Sequence, residues 1–273
     1  MNLRLRQVVL VAQHKAETVE AMKTVLGATP VHGSGDLSPY GLPAMGPMSE
    51  GGRKVLADLG VENLIFAMGA DFIEVMFPTR PDGSTISFMA RRGGDTGYML
   101  VLQTDDVERY EVLAGQHGVR IAHKAEFPKY LDIHLHPRDC GGALLSMARE
   151  LPENVPDGPW YPAGTAWKTS SGSSAVSAVV GAEMLSPDPQ ALAERWGRLL
   201  DLPVAQADGK WIIRLDDGVL RFGAAAEGQK EGFYGIDLRV SDRARIDDGA
   251  RKAGIAVDGD TLTLCGMSVR LVD

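Results

Sequence analysis

Leu131-Asp-Ile-His-Leu-His-Pro-Arg-Asp-Cys-Gly-Gly-Ala-Leu-Leu-Ser-Met147 is the stretch from which the rest of the chain is read. Side chains alternate along a strand, so this segment predicts one with His134 and His136 on a single face. Pro137-Arg138-Asp139 ends the strand, because proline cannot donate to a ladder and fixes its own φ. Cys140-Gly141-Gly142 then turns the chain into a second apolar strand, Ala143 to Met147. The result is a hairpin with polar groups on one surface.

Working outward, the same order of elements recurs four times. The first copy has a strand at Leu5–Ala12 and a helix at Ala16–Leu26, with Val19, Met22, Val25 and Leu26 at helical spacing. After a Gly/Pro-rich excursion, His32 to Arg53, come strands at Asn63–Met68 and Phe72–Phe77, with the turn at Asp71. The second copy runs from a strand at Tyr98–Gln103, through a helix capped by Asp105-Asp106 and ending near Gly118, to the hairpin quoted above. Prolines 152, 156, 159 and 162 and the serines from Ser170 to Ser174 mark a linker. The third copy has a strand at Val176–Leu185, a helix opened by Pro187-Asp188-Pro189, and strands at Lys210–Leu215 and Val219–Phe222 around the turn Asp216-Asp217-Gly218. The fourth has a strand at Tyr234–Val240, a helix at Arg243–Ala253, and strands at Thr261–Leu264 and Ser268–Val272. Strand-helix-strand-strand units in two pairs predict two open, curved, ligand-sized sheets.

The composition is that of an ordinary globular chain: 273 residues, 44% hydrophobic, 23% charged. A net charge of -8 opposes binding to nucleic acid or an anionic membrane, either of which needs clustered Lys and Arg. The apolar run Val8–Ala12 is too short for a signal peptide core or a membrane span. Two isolated cysteines, Cys140 and Cys265, read as reduced thiols, and the expected location is cytoplasmic. No GxSxG elbow, Walker loop or Rossmann glycine pattern occurs, so neither a serine hydrolase nor a nucleotide site is predicted.

The fourfold layout resembles the vicinal oxygen chelate superfamily, the glyoxalase, bleomycin-resistance and extradiol dioxygenase group. Gln7-Val-Val-Leu-Val, Phe72-Ile-Glu-Val and His134-Leu-His-Pro-Arg-Asp-Cys-Gly-Gly-Ala-Leu-Leu carry the resemblance. It implies an α+β fold of four βαβββ modules in two paired-module domains. These are residues 1–150, a linker at 151–175, and a shorter domain at 176–273.

In metal-dependent members, paired modules hold a divalent ion through the first and last strand of each module. That carry-over places ligands at Gln7 and Glu74 in module one. In module two it falls on Met99, or on Tyr98 if the register slips by one, and on Ser146, where a carboxylate is usual. Two ligands of four lead to the expectation that no metal is held at the usual family position. A divalent ion could instead be gripped by His134, His136 and Glu74, a two-His, one-carboxylate set of the kind that binds non-haem iron. The alternative is that His136 hydrogen-bonds the Pro137–Cys140 turn while His134 lines a pocket without metal. All six histidines lie in the first half, and the equivalent positions later in the chain fall near Gly181 and Tyr234. The second pair therefore reads as structural, a lid or a dimerisation surface, which leaves room for a homodimer.

Arg91-Arg92-Gly93-Gly94-Asp95-Thr96-Gly97 reads as a loop leading into module two that could contact an anion or remain a solvated connector. Loops as long as 32–53, with Tyr40, Met45 and Met48, are often lids or binding walls. Trp160, Tyr161 and Trp167 are candidates to pack between the domains. The resulting expectation is a lyase, isomerase or dioxygenase acting on a small organic molecule in the cup of modules one and two. Glu74, His134 and His136 would carry the chemistry, and Gln7, Arg92 and Tyr98 would hold the substrate. The competing reading is a metal-free binder that sequesters a compound, as drug-resistance members do. A third is a scaffold whose pocket is vestigial.

Overall fold

The computed structural model describes residues 3–43, 56–164, 167–169 and 172–273. Module one is β1 (Arg4–Val11), α1 (Lys15–Leu26), β2 (Pro30–Gly33), β3 (Val61–Met68) and β4 (Asp71–Pro78). A helix, α2 (Ser84–Arg92), follows it. Module two is β5 (Thr96–Gln103), α3 (Val107–Gln116), β6 (Ile121–Phe127), β7 (Tyr130–Leu135) and β8 (Leu144–Glu150). Module three is β9 (Val176–Ser186), α4 (Pro189–Leu200), β10 (Val204–Ala207), β11 (Lys210–Arg214) and β12 (Val219–Ala224). Module four is β13 (Gly232–Val240), α5 (Arg243–Lys252), β14 (Val257–Asp258), β15 (Thr261–Leu264) and β16 (Met267–Val272). Four βαβββ modules are therefore present.

The strands form two eight-stranded mixed sheets, ordered β2-β3-β4-β1-β5-β8-β7-β6 and β10-β11-β12-β9-β13-β16-β15-β14. Every module ends with its last strand near the sheet centre and its second strand at an edge. Two compact units are distinguishable. One comprises Met1–Val8, Gly97–Tyr161 and Val179–Asp237; the other comprises Val9–Thr96, Pro162–Ala178 and Leu238–Asp273. In the first unit α3 packs on α4, and in the second α1 packs on α5.

The helices begin where short polar side chains can accept from exposed amides. Asp106 accepts from the Arg109 amide, Asp188 from Ala191 and Asp242 from Arg245. In the first unit Leu131, Ile133 and Leu135 of β7 pair with Arg149, Met147 and Leu145 of β8, forming the side of the sheet that faces α3. The four leucine, isoleucine and methionine side chains among these with the deepest burial, Ile133, Leu135, Leu145 and Met147, are at most 1% exposed.

The second strand of each module and helix α2 were not located from sequence. β6 reads Ile-Ala-His-Lys-Ala-Glu-Phe and alternates exposed with half-buried positions, so no apolar run announces it. The Arg91–Gly97 segment is not a loop throughout, because Arg91 and Arg92 form the last turn of α2. The turn before β4 is made by Gly69 and Ala70, and Asp71 opens the strand. The linker holds two short 3₁₀ turns, Tyr161–Ala163 and Trp167–Thr169, where proline content had suggested none. Of the 32–53 excursion, Ser38–Tyr40 is a 3₁₀ turn, while Met45 and Met48 lie outside the described residues. No helix among the described residues is long and apolar enough to cross a membrane.

Candidate functional site

The polar face of the first unit is built by strand alternation. Tyr130, Asp132 and His134 of β7 stand opposite Glu150, Ala148 and Ser146 of β8, and opposite Phe127, Ala125 and His123 of β6. Val101 and Gln103 of β5 sit beside Ser146 and Ala148 on the same face. Polar groups here are placed by the two-residue period alone.

Asp132 is the hub. Its Oδ2 lies 2.8 Å from Nε2 of His134 and accepts from the Tyr130 hydroxyl at 3.4 Å, while Oδ1 accepts from the Ser146 hydroxyl. Asp132 is 6% exposed and Ser146 fully buried, whereas the His134 side chain keeps 19% exposure, so the imidazole can be reached from solvent. The ring of His123 lies 5.2 Å from that of His134. Burial, followed by the neighbouring His134 charge, lowers the His123 pKa against the opposing pull of Asp132. An imidazole oriented by a buried carboxylate is the arrangement a general acid or base needs.

His136 does not join this group. β7 ends at Leu135, so His136 falls in the turn rather than on the strand face with His134. Its Nδ1 accepts from the Arg138 amide at 3.2 Å, and its carbonyl accepts from the Asp139 amide at 2.9 Å. Arg120 reaches the same Nδ1 at 3.2 Å and grips Asp139 at 2.8 Å, and that bond, with the Arg120 amide and charge, holds the Asp139 carboxyl far below its ordinary pKa against the opposing desolvation. The turn needs Gly141 and Gly142, at φ 74° and 83°, in the left-handed region. Cys140 is fully buried, and burial pushes its thiol up to about 12, so it is no nucleophile.

Tyr98 also departs from its expected role. It is one residue out of phase with Met99, Val101 and Gln103, which places it on the opposite side of β5 from His134. Arg92 lies at the C-terminal end of α2, with its guanidinium 5.3 Å from the Phe88 ring. Helix C-termini present carbonyls, so the expected anion contact through loop amides is not available there.

The donor set does not fit the divalent ion that the family resemblance implies. Oε1 of Gln7 accepts from the Trp160 indole at 2.6 Å. Oε1 of Glu74 accepts from the Asn63 amide at 2.6 Å, and Asn63 is braced in turn by Ser34 at 2.7 Å. Ser146 is a donor to Asp132, and Met99 offers only a thioether. The alternative set does not fit either, since His136 is off the strand face and Glu74 is bonded by Asn63. Among the described residues no three His, Cys, Asp or Glu side chains converge as a metal-binding group.

Segment 154–161 lies over the inner part of this face. The Trp160 ring, fully buried, meets Tyr130 edge-on at 5.7 Å, with Arg6 5.4 Å from its centre. Tyr161 stacks on Tyr130 at 5.2 Å and on Phe127 at 5.1 Å, and its amide donates to Glu150. Asn154 accepts from Gln103 at 2.8 Å. In the second unit Trp167 meets Phe72 edge-on at 5.1 Å. A cleft of about 310 Å³ there is lined by Gly69, Trp167, Lys168, Ser177 and Ser241 among others, and by none of the expected site residues.

Sequence reading missed a charge cluster shared by modules three and four. Arg221 grips Asp237, at 2.7 Å through one nitrogen, and approaches Glu183 at 3.4 Å, while Lys210 pairs with Glu183. A Cβ at Gly181 would lie 2.3 Å from Asp237, so the glycine makes room for the pair. The available signal was a charged residue inside otherwise apolar strands, as in Val-Leu-Arg-Phe and Gly-Ile-Asp-Leu. Two cations match two carboxylates, which makes this a closed structural network. Tyr234 donates to the Lys230 carbonyl at 2.8 Å.

No protein-family model and no curated protein matches the sequence. Among solved structures the chain is similar to a mutant of 4-hydroxymandelate synthase from Streptomyces coelicolor, with a TM-score of 0.63 and 13% identity over 92% of this chain and 75% of that one. It is also similar to a hypothetical protein from Staphylococcus aureus, with a TM-score of 0.61 and 9% identity over 99% of both chains. Identities this low speak to architecture alone. The four βαβββ modules and their two mixed sheets are thus an α+β fold shared with these structures.

Proposed function

We propose that this chain acts on a small organic molecule at the outer part of the first sheet, as an isomerase or lyase that moves a proton without a metal. The Asp132–His134 pair supports the reading: a buried carboxylate, held by Ser146, orients an imidazole that solvent can reach. His134 would take or return a proton next to a substrate carbonyl. Asp132 would hold the ring's orientation and stabilise its charged form. The dioxygenase branch is set aside because it requires a redox-active metal, and the side chains at the ligand positions are committed to protein partners. Glu74 then serves as a buried support for the first module, with Gln7 as an anchor for segment 154–161.

The test is deuterium incorporation from D₂O into a panel of small carbonyl compounds bearing an acidic C–H, followed by proton NMR. The wild type should exchange at least one panel member. His134→Gln should lose roughly 100-fold or more, the usual scale of a general acid-base group. Asp132→Asn should fall between the two, and His136→Gln should match the wild type. Binding of a panel member with no exchange in any variant would instead support the rival, a sequestering protein.

A further inference from the structure

The side chains that hold segment 154–161 are the wrong ones for a permanent strap. Gln7, Gln103 and Glu150 are buried, at 1%, 0% and 3% exposure, yet they are polar. A sheet face meant only to seat two aromatic rings would be held more cheaply by apolar residues, since each buried polar group must be compensated. Each contact the segment makes resembles one that a ligand would make. The Trp160 indole donates to Gln7 at 2.6 Å, the Tyr161 amide donates to Glu150, and Asn154 receives the Gln103 amide at 2.8 Å. Arg6 caps the indole face at 5.4 Å and ties Gly158 through its carbonyl at 2.9 Å. Tyr161 is 44% exposed despite stacking on two rings, so one side of the strap stays open to water.

We infer that segment 154–161 is an internal ligand, a displaceable strap whose Trp160 side chain occupies a site for a planar aromatic molecule carrying one N–H or O–H donor. Gln7 reads the donor, Tyr130 packs edge-on against the ring, and Arg6 faces it. The inference deepens the proposed function: Tyr130 also bonds Asp132, so an aromatic ligand seated here would lie beside the group that orients His134. In the resting state the strap excludes such a ligand, which makes the site self-inhibited.

Indole and benzofuran, isosteres that differ in the N–H, are the probes. By calorimetry, Trp160→Ala should bind indole at least ten-fold more tightly than the wild type does, and about ten-fold more tightly than it binds benzofuran, as one neutral hydrogen bond allows. Adding Gln7→Leu should erase the preference for indole. In the wild type, saturating indole should speed amide hydrogen exchange across 152–161. Equal binding of indole and benzofuran would reduce the site to a generic cavity and overturn the inference, as would indole binding with no change in strap exchange. Should Trp160→Ala fail to fold, Trp160→Phe keeps a ring without the donor, and its strap must exchange faster than the wild type's; unchanged exchange would overturn the inference. These readouts follow indole binding and strap exchange rather than proton transfer, so a failure of the proton-transfer reading does not disturb this test.

Discussion

At Asp132 the two carboxylate oxygens serve different neighbours, Ser146 on one and His134 with Tyr130 on the other. Ser146→Ala removes a donor from a buried anion and should cost about 1–3 kcal/mol of stability in urea unfolding. In the first module, Asn63→Leu takes the amide from the buried Glu74 and should cost a similar ~2 kcal/mol by the same reasoning. His134, Glu74 and Gln7 were all picked out in the sequence. Their partners Asp132, Asn63 and Trp160 were not singled out for those roles, because hydrogen bonds across a sheet or to a distant linker follow register rather than local spacing. His136 shows the converse limit. Strand alternation predicted its face, but the strand stopped one residue earlier, when Pro137 and the glycines drew His136 into the turn.

Among the elements, the core strands and four of the helices were legible because their apolar period is strong, and most of their ends were located within a residue or two. The second strand of each module was not, since β6, β10 and β14 lie at sheet edges and bury little, and β2 is only four residues long. Helix α5 carries a glycine whose purpose is invisible in sequence. A Cβ at Gly249 would lie 2.0 Å from the Thr24 carbonyl oxygen of α1. Gly249→Ala should therefore destabilise the protein by roughly 1–3 kcal/mol, against the ~1 kcal/mol that alanine ordinarily gains over glycine in a helix. A rise in melting temperature would refute that close approach. The same argument covers Gly69, where a Cβ would lie 2.0 Å from the Ser177 carbonyl oxygen.

For the whole molecule, stability should depend on pH through half-buried histidines. Burial lowers the pKa of His32 below its ordinary 6.5, and His123 is lowered in the same direction. Between the lowered folded values and 6.5 the unfolded chain binds more protons than the folded one. Their contribution is therefore complete above about 6.5 and is lost as pH falls through the folded values. Urea midpoints should drop between pH 7.5 and 5.5, and His32→Gln should flatten that drop. A chelator should leave the melting temperature unchanged, since the ligand positions are held by protein donors; a fall of several degrees with EDTA would contradict this.

From the sequence alone came the four modules and their grouping into two sheets. These depend on local periodicity, turn chemistry and composition, which the chain carries within a few residues of each position. Only the tertiary structure decided that Ser146 completes a carboxylate hub, that His136 serves a turn, and that Trp160 rests on Gln7. Those outcomes depend on cross-strand register and on where a linker settles, and both are set by packing between residues as many as 153 positions apart.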